Sequence, residues 1–260
     1  MTLLEVDGLQ VSYKLPGRGT LRAVDGVSFD LEPRQVLGLV GESGCGKSTL
    51  AKAVCGLVPT SGGSIAFNGA PIGKLGLRKR DPRLMRIQMV FQNPFASLNP
   101  RRTIGSQIED GLRVNPDRDA WNVADLLEHV EMDPASRTRY PHQFSGGQRQ
   151  RVAIARAIAA GPELLIGDEP IASLDASLQA RIAILMRNLA LETGAALLFI
   201  SHDLSVVRVI ADDVAVMNAG RIVERGPVDR VWTAPQEPYT QRLLAAIPVA
   251  DGMGRLPGAA

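Results

Sequence analysis

A chain of 260 residues has room for one large domain or two small ones, and 45% hydrophobic content suits a globular protein with a sizeable core. A formal net charge of +2 gives no argument for nucleic acid as a partner. Two cysteines, Cys45 and Cys55, exclude a disulfide framework and a four-thiolate cluster and point to a reducing compartment.

The chain opens on Met1-Thr2-Leu3-Leu4-Glu5, without the basic start and long apolar core of a signal peptide. No apolar run nears the ~20 residues of a membrane span, so work at a membrane is expected to use another chain for the crossing. Residues 3 to 33 read as strands. Leu9, Val11 and Tyr13 alternate with Gln10, Ser12 and Lys14, and after Pro16-Gly17-Arg18-Gly19 a second run passes through Val24, Val27 and Phe29. Tyr13 has two readings, packing within the sheet or stacking on a nucleotide base.

The apolar run Val36 to Val40 leads into Gly41-Glu42-Ser43-Gly44-Cys45-Gly46-Lys47-Ser48-Thr49, and Leu50 to Val54 continues as a helix. Strand, glycine loop and helix are the context of a phosphate-binding loop. Gly41, Gly44 and Gly46 permit backbone angles closed to other residues, so successive N–H groups can turn inward as an anion cradle. The helix start adds unpaired donors and a positive dipole end. Lys47 would reach the β- and γ-phosphates and Ser48 would offer its hydroxyl to Mg²⁺. The plainer alternative is a glycine-rich turn with a surface lysine.

Residues 62 to 69 predict a turn, a short strand and another turn. A basic run follows (Arg78, Lys79, Arg80, Arg83, Arg86), either a solvated face or a contact for lipid or a partner. Ile87 to Phe91 is a strand ending at Gln92, and Pro94 and Pro100 forbid a continuous helix beyond it. Phe95 and Leu98 form an apolar pair expected to face a partner. From Thr103 to His129 helical patterns dominate, so 93 to 160 reads as mainly helical within a strand-rich frame.

Phe144-Ser145-Gly146-Gly147-Gln148 precedes a helix with Val152, Ala155 and Ala159 at core spacing. Ser145 is the expected N-cap, and the glycines make this either an ordinary cap or a second anion-ready helix start. Glu163 to Pro170 is an apolar strand ending in Asp168 and Glu169, whose alternation sends one carboxylate toward Mg²⁺ and the other toward an attacking water. The alternative is a helix start. Ala195 to Ile200 is a buried-type strand that ends at Ser201-His202-Asp203, making His202 either incidental or a γ-phosphate ligand at a strand's carboxyl end. A final hairpin is expected around Asn218-Ala219-Gly220, and the tail past Ala250 reads as mobile.

In this order the motifs resemble the ATP-binding subunit of an ABC transporter: Tyr13, Walker A at 41–49, Gln92, the signature at 145–148, Walker B at 164–169, the D-loop Ala172-Ser173-Leu174-Asp175 and switch His202. The resemblance implies an α/β P-loop NTPase of ABC type. It would have a RecA-like mixed-sheet core (1–92 and 161–235), an antiparallel β N-terminal part and an inserted helical subdomain (93–160). ATP and Mg²⁺ are its implied cofactors. Tyr13 would stack on adenine; Gly41, Ser43, Gly44, Cys45, Gly46, Lys47, Ser48 and Thr49 would hold the phosphates; Ser48, Gln92 and Asp168 would serve Mg²⁺. Glu169 would be the base, with His202 and Gln92 beside it, and Ser145, Gly146, Gly147, Gln148 and Asp175 would act on ATP held by the opposite subunit.

Val90 to Pro100, together with Pro238-Tyr239-Thr240 and Leu243 to Pro248, resembles the peptide and nickel importer branch, with 236–260 as its C-terminal extension. Glu237 stands where that branch usually has histidine, and Ala172-Ser173 reverses the usual D-loop order. The partners implied are two membrane permease subunits, a second ABC ATPase subunit (copy or paralogue) and an extracytoplasmic solute-binding protein. No nucleic acid and no iron–sulfur cluster are expected, and the place implied is peripheral, on the cytoplasmic face of the inner membrane. The alternatives are a subunit of a carbon–phosphorus lyase, another non-transport ABC ATPase, and a P-loop kinase; the last leaves the signature and His202 unexplained.

Overall fold

The computed structural model describes residues 2–15, 17, 19–73, 81–93, 97–115, 121–172 and 174–247. Arg78, Lys79, Arg80, Phe95, Ser173 and the tail past Ala250 lie outside them. Two sheets organise the chain. Strands β1 (Leu4–Leu15), β2 (Gly19–Leu31), β4 (Gly62–Phe67) and β5 (Ala70–Pro71) form an antiparallel sheet in the order β2-β1-β4-β5. Gly62 and Gly63, expected in a turn, instead belong to β4. The reason is close approach: a Cβ on Gly63, at φ 73°, would sit 2.4 Å from the Gly8 carbonyl of β1.

The second sheet has the order β10-β9-β3-β8-β7-β6, from β3 (Val36–Val40), β6 (Ile87–Phe91), β7 (Leu164–Asp168), β8 (Ala196–Ile200), β9 (Asp213–Asn218) and β10 (Arg221–Pro227). All its pairings are parallel except the β9–β10 hairpin, which turns at Ala219-Gly220 as expected. Parallel strands covered on both faces read as continuous apolar runs, and alternate residues divide between two cores. Leu37, Leu39, Leu164, Ile166, Leu198 and Ile200 face the antiparallel sheet and helix α1 (Lys47–Val54). Val36, Val40, Leu165, Leu197 and Phe199 face the helical side.

Between β6 and β7 the described residues form helices and 3₁₀ turns: α2 (Ile104–Val114), α3 (Val123–His129) and α4 (Gly146–Ala159). Val152, Ala155 and Ala159 of α4 are buried, and α4 packs on α2. After β7 come α5 (Ala176–Glu192), α6 (Leu204–Ile210), α7 (Val228–Thr233) and α8 (Pro238–Ala245). Among the described residues no helix is long and apolar enough to cross a membrane.

One expectation about exposure needs correction. Leu98 does not face outward: it is 4% exposed and sits in the same apolar cluster as Ile104 and Ile108. Its neighbours are held by polar contacts, Asn99 through both ends of the Gln107 amide and the Ser97 carbonyl by Arg156. In the basic run, Arg83 and Arg86 follow the solvated-face alternative, 49% and 31% exposed and paired at the surface with Asp81 at 2.5 Å and Glu163 at 3.2 Å.

Candidate functional site

The glycine loop is shaped by close backbone approach at its two ends. Gly41 has φ 150°, and a Cβ there would lie 2.1 Å from the Met217 carbonyl oxygen. Gly46 has φ 114°, and a Cβ would lie 2.1 Å from the Ala23 carbonyl oxygen. Strands β9 and β2 therefore grip the loop, and the Gly220 N–H adds a bond to the Cys45 carbonyl at 2.9 Å. Lys47, the first residue of α1, is 3% exposed. Its ammonium donates to the carbonyls of Gly41 (2.7 Å) and Glu42 (2.9 Å) and lies 3.8 Å from Glu169 Oε1.

Both carboxylates after the apolar strand reach this loop. Asp168 is buried at the end of β7, and its Oδ1 accepts the Ser48 hydroxyl at 2.7 Å. Burial pushes the Asp168 carboxyl up, against the pull of the Ser48 hydrogen bond and of Lys52 and Lys47. Strand alternation does not explain Glu169, because β7 ends one residue earlier. Glu169 has φ 48°, a left-handed conformation that costs a side-chain-bearing residue about 1–3 kcal/mol. Its N–H is held by the Ile200 carbonyl of β8 at 3.0 Å. The turn brings the second carboxylate to the same side as the first, between Lys47 and His202, whose Nδ1 is 3.2 Å from Glu169 Oε2.

A cavity of about 390 Å³ opens over the loop. Tyr13, Ser43, Gly44, Gly46, Lys47, Ser48, Thr49, Gln92 and Glu169 line it, all expected from sequence. Leu21 and Ala23 also line it and were not expected. Leu21 is the cross-strand partner of Tyr13 in the β1–β2 ladder, so continuing the alternation across the hairpin was the available signal. Gly41 and Cys45 stand behind the cavity. The Cys45 N–H donates to the Glu42 carbonyl at 3.3 Å, and burial pushes its thiol up against the pull of Lys47.

The other group of predicted residues lies apart from this cavity. Ser145 caps α4 through a reciprocal box: Gln148 N–H donates to Ser145 Oγ at 3.3 Å, and Ser145 N–H donates to Gln148 Oε1 at 3.0 Å. Ser145, Gly146 and Gln148 are exposed, whereas Gly147 is buried where a Cβ would meet Leu178 at 2.4 Å. Asp175 caps α5, accepting from Leu178 N–H at 3.0 Å and Ser177 Oγ at 2.6 Å. One chain thus presents a loop cavity and a separate exposed helix start.

A profile described as "ABC transporter" matches residues 24–172, which hold the glycine loop, Gln92, Ser145–Gln148 and both carboxylates. The chain belongs to the ABC transporter family. As a member it is an ATP-binding subunit and an ATPase, and its fold is the family's P-loop fold. It is 45% identical over 255 residues to the oligopeptide transport ATP-binding protein OppF of Bacillus subtilis, covering 96% of this chain and 83% of that one. It is 49% identical over 259 residues to the glutathione import ATP-binding protein GsiA of Salmonella paratyphi A, where it spans 96% of its own length but only 42% of the relative's. The structure of cbiO1 from Clostridium perfringens, part of the ABC transporter complex cbiONQ, is similar with a TM-score of 0.77 and 28% identity over 90% of this chain and 91% of that one.

Proposed function

We propose that this ABC ATPase drives uptake of short peptides, oligopeptides or a small peptide of the glutathione kind, through partner membrane permeases. Two relatives covering nearly the whole chain carry oligopeptide transport and glutathione import in their names, which favours peptides over nickel. The observation that carries the catalytic half is the place of Glu169, 3.8 Å from Lys47 and 3.2 Å from His202 on the wall of the loop cavity.

Each residue then has a task. Tyr13 and Leu21 form an apolar seat for the base. Lys47, anchored on the Gly41 and Glu42 carbonyls, turns its remaining donor to the β- and γ-phosphates. Ser48 and Asp168, with Gln92 nearby, would hold Mg²⁺: a hydroxyl and a buried carboxylate converging within 2.7 Å are hard oxygen donors suited to that ion. When bound, Mg²⁺ neutralises charge on the transferring phosphoryl group. Glu169 orients water and takes its proton, and His202 senses the γ-phosphate. Exposed Ser145, Gly146 and Gln148, with Gly147 and Asp175, serve ATP held by a second ATPase subunit.

In this proposal 1–92 and 161–235 form the core, 93–160 the helical subdomain and 236–260 an extension. The protein works at the cytoplasmic face of the inner membrane, with two permeases and a solute-binding protein delivering peptide. The test is uptake of labelled dipeptides, oligopeptides and glutathione by cells lacking this chain, restored by wild type or by Lys47→Ala. Recovery with wild type alone is expected; undiminished uptake of all three without the chain would overturn the import proposal.

A further inference from the structure

The C-terminal helix touches the nucleotide loop at one polar point. Tyr239 of α8 is 9% exposed within the helical-side core, and its hydroxyl accepts the Glu42 N–H at 3.1 Å. That N–H belongs to the peptide unit whose carbonyl is Gly41 C=O, the closest acceptor of the Lys47 ammonium at 2.7 Å. In a trans peptide the two groups point to opposite edges of one plane. Tyr239 and Lys47 therefore hold one peptide from its two sides. The α8 end of this link is fixed as well: Glu224 of β10 accepts the N–H groups of Gln236 and Glu237 at 2.8 and 3.2 Å, just before α8 begins. Leu243, Ala246 and Ile247 face the His202–Ser205 segment across a cleft of about 360 Å³, so the same helix flanks the loop that carries His202.

We propose that Tyr239 is a positioning residue for nucleotide binding: its hydroxyl fixes the N–H edge of the Gly41–Glu42 peptide while Lys47 fixes the carbonyl edge and turns its remaining donor to phosphate. Without that acceptor the peptide is held at its carbonyl edge alone, and the cradle must be ordered as nucleotide binds. The effect falls on affinity and leaves the chemical step alone, because Tyr239 touches neither the phosphates nor Glu169. This inference rests on the assignment of the loop to ATP.

The test uses the full chain with Tyr239→Phe, which keeps the ring and removes the acceptor, beside Lys47→Ala. Binding of a fluorescent ATP analogue and steady-state ATP hydrolysis are measured together with Tm. Loss of one hydrogen bond to a part-buried amide corresponds to roughly a three- to tenfold change. Tyr239→Phe is expected to raise Kd and KM for nucleotide by about that factor, with kcat and Tm near wild type. Unchanged Kd and KM in folded Tyr239→Phe would overturn the positioning role while Lys47→Ala still loses binding. Full binding by Lys47→Ala would instead sink the loop assignment on which the role depends. If Tyr239→Phe does not fold, hydrogen exchange of the Glu42 amide in wild type decides: protection that persists with nucleotide bound supports the brace, and free exchange overturns it.

Discussion

His202 Nδ1 lies 3.2 Å from Glu169 Oε2, joining two residues that follow the neighbouring parallel strands β8 and β7. Glu169 is half-buried and its other oxygen faces Lys47, while the His202 side chain is 50% exposed toward the open side. A carboxylate so placed can take a proton from water next to a phosphate held by Lys47. Glu169→Gln is therefore expected to lower ATP turnover by about 10²–10⁴, the usual cost of losing a general base. Nucleotide affinity should persist, since the loop and the Ser48–Asp168 pair are untouched, and an ATP-bound dimer should accumulate on gel filtration. Turnover near wild type would remove Glu169 from the role of base.

Leu98 is a test of packing rather than of docking. It is buried beside a segment pinned by Gln107 and Arg156. Leu98→Ala should destabilise the chain by about 2–5 kcal/mol through lost burial and a residual cavity. Chemical denaturation measures this directly, and ATPase and uptake should then fall together with the folded fraction. An unchanged denaturation midpoint with loss of uptake alone would return Leu98 to a partner-facing role.

Glu224 makes the anchoring of α8 pH-dependent. Burial raises its carboxyl, but the Gln236 N–H, the Thr240 hydroxyl, the Glu237 N–H and the charge of Arg230 together outweigh that and hold it below its ordinary value of 4.5. The ionised form is favoured by folding, so its contribution is complete above about pH 4.5 and is lost as pH falls through the lower folded value. Glu224→Gln should therefore be less stable than wild type at pH 7, with the gap closing on acidification below pH 4.5. Denaturant melts of both proteins across pH 3.5–7 (about half-unit steps suffice for one carboxylate) check the sign; a gap that widens in acid would contradict the anchor.

Short-range patterns carried much of this architecture. The apolar runs of β3, β7 and β8 are legible because both faces of their sheet are covered, and Ser145 is legible as a cap because its partner Gln148 is three residues on. Glu169 was found for a reason that fails. Alternation along a strand predicted opposite directions for two carboxylates, whereas a left-handed residue past the strand end turns the second back to the first. Leu98 misled because a proline-bounded loop reads as exposed, and only the α2 cluster shows that it is not. The Tyr239–Glu42 contact joins residues 197 positions apart through one hydroxyl, and no periodicity or spacing encodes it.

The separation of the loop cavity from the exposed α4 start leads to the sharpest test of assembly. Ser145, Gly147 and Gln148 are absent from the lining of the cavity that holds Lys47 and Glu169, so one chain does not bring the two groups together. If two chains pair head to tail, each ATP is held by Lys47 of one subunit and Ser145 of the other. A Lys47→Ala chain and a Ser145→Arg chain should each be inactive alone. In the mixed dimer one composite site loses both functions, while the other keeps Lys47 from the Ser145→Arg chain and Ser145 from the Lys47→Ala chain. Hydrolysis should rise above either parent, by up to one site's worth if the sites act independently and by less if they are coupled, so nucleotide trapping is measured alongside turnover. Where the natural partner is a paralogue, the two substitutions are divided between the paired chains. A verified mixed dimer with neither trapping nor turnover above its parents would leave the exposed α4 start as a helix cap and remove the case for shared sites.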